Sequence, residues 1–308
     1  MLTLGLDTSN YTTSIAYFDG ENGVNCSRLL PVKPGELGLR QSDAVFAHTK
    51  SLPDLSGRLF SNAEVGKITA VGVSTRPRAV EGSYMPCFMV GYSHAKLLSD
   101  ALGVPLIEVS HQQGHVAASL WSAGHLELMD EPHLAWHLSG GTTELLLVEP
   151  EGKNVKCTKI GGTTDISAGQ LIDRTGVMLD LPFPAGKHVD ALSKEAVLKE
   201  TFKVKCPGME FSLSGVQNKV QQFHQKNGIP AETAAFALRC VASAVYQATQ
   251  NALKAYPGLK VVFSGGVASN SMLREVIAPL SPIFCEPQYS TDNAMGVAVL
   301  TDRYTQEG

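Results

Sequence analysis

Positive charge is scarce in this chain: 25 lysines and arginines face 29 aspartates and glutamates, a formal net charge of −4 over 308 residues. No basic field covers the surface, so a stand-alone nucleic-acid binder is disfavoured, because counterion release needs clustered cations. A local basic patch or a basic partner protein is compatible with that balance. Cys-x-x-Cys pairs are missing too. The six cysteines, Cys26, Cys87, Cys157, Cys206, Cys240 and Cys285, are scattered, which suggests neither a zinc knuckle nor a dithiol redox site and suits a reducing compartment. Long apolar runs are absent, so no membrane span is expected. The first residues open directly into a strand pattern with no charged leader and apolar core, so no signal peptide is expected and the cytoplasm is the expected location. Tyrosines and tryptophans do not interleave with basic residues, so no platform for stacking single strands is evident. Neither Gly-x-x-x-x-Gly-Lys-Ser/Thr nor Gly-x-Gly-x-x-Gly occurs, which removes support for P-loop and dinucleotide folds.

What is present is a foldable α/β pattern. With 44% hydrophobic and 18% charged residues, the length suits two packed domains. Alternation over Leu2 to Leu6 and Ser14 to Phe18 predicts an opening hairpin with a small polar loop. Residues 53 to 67 carry a helical period, followed by a strand at Ile68 to Ser74 and a Pro-broken loop at Thr75 to Pro86. A helix over Cys87 to Leu102, a strand over Pro105 to Val109 and a helix over His111 to Ala123 follow, the last closed by Gly124. HLAWHLSGGTTELLLVE then repeats the strand, polar turn, strand signature of the start, a signal of internal duplication with a junction near residues 124 to 133. Further helices are predicted at Ser167 to Leu179, 229 to 255, Ser269 to Ile277 and Asn293 to Tyr304, with a strand at Lys260 to Ser264 and a Pro/Gly loop at 183 to 188. The terminal helix is expected to pack back on the first domain.

His111 and His115 in HQQGH stand four apart at a helix start, so both imidazoles share one face and can offer two ligands to one transition metal. Two capping or surface histidines are the bland alternative. A zinc peptidase needs Glu directly after the first histidine as general base; Gln112 stands there and cannot take a proton from metal-bound water. Three glycine turns follow predicted strands: Ser139-Gly140-Gly141-Thr142-Thr143, Gly161-Gly162-Thr163-Thr164 and Ser264-Gly265-Gly266-Val267-Ala268-Ser269-Asn270. Such turns let main-chain N–H groups approach a phosphate closely, although paired glycines are most often ordinary turns. Asp173 and Asp292 offer carboxylates for ribose hydroxyls or a metal, but Ser290, Thr291, Asp292 and Asn293 all suit a helix cap. Arg76 and Arg78 flank Pro77 on a loop, where they could touch a phosphate or simply remain solvated.

In order along the chain stand GLDTS, VGYSHAKLLSDALGVPLIEVSHQQGH, HLSGGTTELLLVE, SAGQLIDRTGVMLDLPFPAG, FSLSGVQNKV, FSGGVASNSMLRE and STDNAMGVA. Together they resemble the TsaD/Gcp family, whose members make threonylcarbamoyladenosine in tRNA. The resemblance implies an α/β fold of two actin/sugar-kinase/heat-shock-type (RNase H-like) domains with nucleotide and metal in the cleft between them. The first domain would comprise residues 1–125 plus 292–308 and carry the His pair; the second, 126–291, would carry the nucleotide-binding turns. By position, the resemblance implies His111, His115 and Asp292 as ligands of one divalent metal, iron or zinc. It implies His137, Leu138, Ser139, Gly140, Gly141, Asp173, Gly186 and Asn270 as contacts to an adenine nucleotide, and assigns no catalytic residue. The implied chemistry is acyl transfer from a threonylcarbamoyl-adenylate to a tRNA adenosine, with TsaB- and TsaE-type partner proteins and no membrane.

Three departures bear on the acceptor and the acyl donor. Tyr11 and Thr12 stand where the family carries an acidic pair, Thr142 stands where it has His, and Gln170 stands where it has Glu. Two other readings follow: a carbamoyltransferase with a different acceptor, or a silent nucleotide-binding scaffold. The scaffold would not need the His pair.

Overall fold

The computed structural model describes residues 2–9, 11–31, 39–61, 68–197, 200 and 202–306, and divides into two compact units. The first comprises Met1–Glu131, Glu149–Cys157 and Asp292–Gly308; the second, Pro132–Val148 and Thr158–Thr291. In chain order the elements are β1 (Leu2–Asp7), β2 (Thr12–Phe18), β3 (Gly23–Leu29), α1 (Gln41–Phe60), β4 (Ile68–Arg76), α2 (Phe88–Leu102), β5 (Leu106–Ser110) and α3 (His111–Ser122). There follow β6 (His133–Leu138), β7 (Thr143–Glu151), β8 (Asn154–Thr163), α4 (Ala168–Met178), α5 (Gly186–Ser193), β9 (Glu210–Phe211), α6 (Ser214–Asn227) and α7 (Pro230–Ala255). The chain closes with β10 (Val261–Ser264), α8 (Ser271–Ile277), β11 (Ile283–Phe284) and α9 (Met295–Thr305). Among the described residues, no helix is long and apolar enough to cross a membrane.

The first sheet runs β3-β2-β1-β4-β5, with β1 antiparallel to β2 (Leu6 opposite Ile15) and parallel to β4 (Leu4 opposite Val71). Leu4, Leu6, Ile15, Val71 and Val73 from the strands meet Leu52, Leu55 and Leu59 of α1 in one buried cluster. β1 is buried nearly throughout because α9 covers it, and that contact depends on small residues. A Cβ on Gly5 would stand 2.5 Å from the Ala298 nitrogen, and one on Gly296 would stand 1.8 Å from the carbonyl oxygen of Gly114 in α3. Thus α9 lies against both the sheet and α3 at near backbone distance.

The second sheet runs β9-β8-β7-β6-β10-β11, with β6 antiparallel to β7 (Trp136 opposite Leu145) and parallel to β10 (Phe263 opposite Trp136). Strand for strand, β6, β7, β8, β10 and β11 repeat the order of β1, β2, β3, β4 and β5. The duplication that the two hairpins suggest is therefore visible in topology. Trp136, Leu138 and Phe263 on the sheet pack with Val241, Val245 and Ala248 of α7. The indole N–H of Trp136 is satisfied inside that core by Thr249 Oγ1 at 2.9 Å.

Several elements differ from the sequence reading. The helix expected over 53 to 67 is α1, which starts at Gln41 and contains Pro53. Its buried stripe begins with Ala44, His48 and Ser51, which carry little apolar signal, while Pro53 resembles a start; residues 62 to 67 lie outside the described residues. The loop expected over 183 to 188 yields to α5 from Gly186 onward. The sequence reading did not anticipate β3, β8 or α6. Each alternates weakly, with β3 and β8 carrying polar residues on exposed positions.

Candidate functional site

In the first unit, β5 runs directly into α3, and the junction is fixed by a capping box. Ser110 Oγ accepts from Gln113 N at 3.2 Å while Gln113 Oε1 accepts from Ser110 N at 2.9 Å. The amide of Gln113 then donates to Val155 O at 2.8 Å, so the first turn of α3 is held from two sides. This turn carries His111, and His115 follows one turn later on the same face.

The two imidazoles meet edge to face with centroids 4.3 Å apart, and their Nε2 atoms approach to 2.9 Å. Asp292, in the segment before α9, brings Oδ1 to 3.2 Å from His115 Nε2 and 3.6 Å from His111 Nε2. It does not cap α9. Asn293 Oδ1 accepts from Met295 N instead, which frees the Asp292 carboxylate for the histidines. One donor atom from each of the three residues falls within 4.8 Å of the others, a grouping able to hold a metal ion.

The carboxylate that orients this group is Asp7, at the end of β1 and only 1% exposed. Asp7 Oδ2 lies 2.8 Å from His111 Nδ1; Ser9 donates to Asp7 through both N and Oγ, and Ser74 Oγ donates to Oδ1. A proton held on Nδ1 by Asp7 leaves the Nε2 lone pair facing His115 and Asp292, the arrangement a metal-binding imidazole requires. Two nitrogens and an oxygen bound to one ion at ~2.1 Å stand ~3.4 Å apart, and the observed separations of 2.9, 3.2 and 3.6 Å bracket that value. The residues therefore fit a divalent cation.

Electrostatically the acids favour a cation at Nε2, either a proton or a metal ion in its place. Burial disfavours a charged His111, but Asp7 and Asp292 outweigh that cost and raise its imidazole to about 10. Burial opposes ionisation of Asp292, yet the hydrogen bonds and charge of His111 and His115 keep it well below the usual carboxylate range. The site is built to hold positive charge. Asp7 escaped the sequence reading; its one signal was an acid ending an otherwise apolar strand.

In the second unit, Ser139 to Thr142 form a tight turn closed in both directions, Ser139 N to Thr142 O at 2.8 Å and Thr142 N to Ser139 Oγ at 3.1 Å. Gly140 and Gly141 are exposed at its tip with open space where a Cβ would stand. The cap of α4 is tied to the same turn. Ser167 Oγ donates to Gly140 O, and a Cβ on Gly169 would collide with Gly140 and Ser139. Leu138 buries its side chain in the core, so only its main chain could meet a ligand, and His137 Nδ1 lies 3.4 Å from Ser264 Oγ.

Asp173 on α4 accepts from Ala185 N at 2.8 Å, next to Gly186, and burial raises its carboxyl despite that bond. Asn270 is held differently. Its Oδ1 caps α8 by accepting from Leu273 N, and its Nδ2 donates to Asp190, which also accepts from Ser271. Asn270 therefore has a structural task that sequence reasoning did not foresee. Gln170 closes a second capping box with Ser167, the same Ser-x-x-Gln device as at α3, so the amide there retains the cap.

Two α/β units with the same strand order give the chain a fold of the actin, sugar-kinase and heat-shock type. Component A of (R)-2-hydroxyglutaryl-CoA dehydratase from Acidaminococcus fermentans shares this fold with a TM-score of 0.58 at 13% identity, over 99% of this chain and 100% of that one. The ROK hexokinase of Thermus thermophilus shares it with a TM-score of 0.54 at 15% identity, over 100% of both chains. The family model for TsaD, tRNA N6-adenosine threonylcarbamoyltransferase, matches residues 37–299. A tRNA N6-adenosine threonylcarbamoyltransferase from Carboxydothermus hydrogenoformans is 36% identical over 262 residues, 82% of this chain and 75% of that protein. The chain belongs to the TsaD family.

Proposed function

We propose that this protein is a metal-dependent tRNA threonylcarbamoyltransferase, moving a threonylcarbamoyl group from its adenylate to N6 of a tRNA adenosine beside the anticodon. The observation that carries this reading is the convergence of His111, His115 and Asp292, with His111 oriented by buried Asp7, in a chain of this family. In this reading the first domain, residues 1–125 plus 292–308, holds one divalent cation, iron or zinc, through those three side chains. The cation supplies Lewis acidity toward a carbonyl or phosphate oxygen of the donor.

The second domain, residues 126–291, binds the adenine nucleotide. Main-chain N–H groups at Gly140 and Gly141 suit a phosphate, with His137, Leu138 and Ser139 forming the base of that turn, while Asp173, Gly186 and the remaining amide proton of Asn270 suit ribose and base edges. In the transfer, N6 forms a bond to the carbamoyl carbon and the bond from that carbon to the phosphate oxygen breaks. AMP leaves with the electron pair, and N6 gives up a proton. The mixed anhydride is already activated, so the task of these residues is to hold donor and acceptor in register. TsaB- and TsaE-type partner proteins belong to the same proposal.

Tyr11, Thr12 and Thr142 favour a second reading, a carbamoyltransferase acting on a different acceptor. One assay separates the two: incorporation of labelled threonine into unmodified tRNA, with a threonylcarbamoyl-adenylate generator, the partner proteins and His111→Ala as control. Label that disappears in the variant supports tRNA as the acceptor. Absence of label, from protein that holds metal and nucleotide, overturns it in favour of another acceptor.

A further inference from the structure

We propose that Ser167 is a positioning residue for phosphate binding, its hydroxyl setting the direction of the Gly141 N–H; the proposal rests on the nucleotide lying at the turn from Ser139 to Thr142. Ser167 Oγ lies 2.6 Å from Gly140 O, and a carbonyl oxygen only accepts, so the single hydroxyl proton is committed to that bond. The same oxygen accepts from Gln170 N at 3.0 Å as the cap of α4. One atom therefore both starts the helix and holds the turn. The two bonds that close the turn join Ser139 to Thr142 and do not touch the central peptide, and glycines on both sides of that peptide tolerate either orientation of it. Ser167 makes the choice. The Gly140–Gly141 peptide is trans, so its C=O and N–H point in opposite directions. With Gly140 O held toward the start of α4, the Gly141 N–H is aimed away from it, at the exposed tip of the turn. Among the described residues that N–H meets no acceptor, and nothing stands within 4 Å of the place a Cβ on Gly141 would take.

Ser167 can set that direction because it is itself fixed. Its N–H donates to Gln170 Oε1 at 3.0 Å, and Ala168 N donates to Thr143 Oγ1 at 2.8 Å. Two residues earlier, Asp165 ties the segment before α4 to the start of α6. Its Oδ1 accepts from Ile166 N and Leu213 N, each at 2.8 Å, and its Oδ2 accepts from Ser212 Oγ and Ser214 Oγ, each at 2.5 Å. Partial burial opposes ionisation of Asp165, but these hydroxyl and N–H groups keep its carboxyl well below the usual carboxylate range, so the tie holds across neutral pH. Thr163 Oγ1 adds a bond to Ile166 O at 2.9 Å. The residues around Ser167 are thus held from the side of α6 as well as from the side of the turn. An N–H that already points outward needs no reorientation when a phosphate arrives, and hydrogen bonds to a charged oxygen are among the strong ones.

The test compares the affinities of AMP and adenosine for the full chain by isothermal titration calorimetry at equal metal content. The two ligands differ only in the phosphate, so their affinity ratio reads the turn and cancels any general change in the nucleoside site. Ser167→Gly removes the hydroxyl proton and leaves a residue well tolerated at a helix cap, so its melting temperature should stay close to that of wild type. The ratio of AMP to adenosine affinity is expected to fall about tenfold in Ser167→Gly and to stay within about twofold of wild type in Ser167→Thr, which keeps both donor and cap. A wild-type ratio in Ser167→Gly overturns the proposal, because capping would then account for Ser167 in full. An equal loss in Ser167→Thr overturns it too, since the donor is still present. Wild-type protein that binds AMP no more tightly than adenosine also rejects it, while leaving a nucleoside site in the second domain. Wild-type protein that binds neither ligand rejects the nucleotide reading itself, and the proposal with it.

Discussion

Asp7 does at residue scale what the histidines cannot do for themselves. An imidazole has two nitrogens, and only a partner on one of them decides which lone pair faces the site. Asp7 makes that choice for His111, and Ser9 and Ser74 in turn keep Asp7 from rotating. Replacing Asp7 by Asn preserves shape but removes the charge and presents an amide that can donate where an acceptor is needed. Metal affinity in Asp7→Asn is expected to fall about 10- to 100-fold, measured by competition with a chromogenic chelator. Affinity equal to wild type would mean that His111 orients without its carboxylate. The His111 and His115 pair was legible from spacing alone, because four residues make one helical turn. Asp7 was not, since 104 residues separate it from His111.

At the scale of elements, the crossing of α3 and α9 brings the histidines and Asp292 together. Asp292 lies just before α9, and α9 can approach α3 only because Gly296 faces Gly114. A methyl at 296 would meet main-chain atoms, the Gly114 oxygen at 1.8 Å and the Ala118 nitrogen at 2.7 Å, which cannot swing aside as a side chain can. Gly296→Ala is therefore expected to cost about 2–3 kcal/mol and to lower metal stoichiometry along with it. Thermal melting and metal analysis on the same sample check both, and an unchanged melting temperature would refute the close crossing. Helix starts were partly spelled out by the sequence: Ser110 with Gln113 and Ser167 with Gln170 are both Ser-x-x-Gln boxes. Gln170 accordingly does the capping work open to a Glu at that position, and its difference from the family pattern leaves α4 intact. The start of α1 was not legible, because polar His48 and Ser51 occupy buried positions on its inner stripe.

For the whole molecule, the buried His48 links stability to pH. Its ring is fully buried, Nδ1 lies 2.8 Å from Thr13 Oγ1, and burial lowers it to about 4 despite the opposing charge of Asp7. The unfolded chain takes up this proton near 6.5 and the folded chain only near 4, so stability is full above about 6.5 and falls as pH drops toward 4. Between pH 7 and pH 5 the loss from this one group is expected to be about 2 kcal/mol. Urea unfolding at the two values should show it in wild type and not in His48→Gln; equal losses in both would remove His48 as the cause. On the same scale, the repeated strand order across the two sheets was foreshadowed by the hairpins at Leu2 to Phe18 and His133 to Glu151, whose two-residue period is local. Strand alternation, helical spacing, capping boxes and the glycine turns that follow β6 and β10 depend on neighbours within a few residues, and the sequence by itself determined them, whereas Gly161 and Gly162, expected in a turn, lie inside β8. Tertiary structure alone decided that Asp292 meets His115 across 177 residues, that Asp7 orients His111, and that Asn270 spends its amide on α8 and Asp190. Such contacts arise from sheet order and helix crossing, where small residues at 5, 114 and 296 set the distances and no local periodicity records the result.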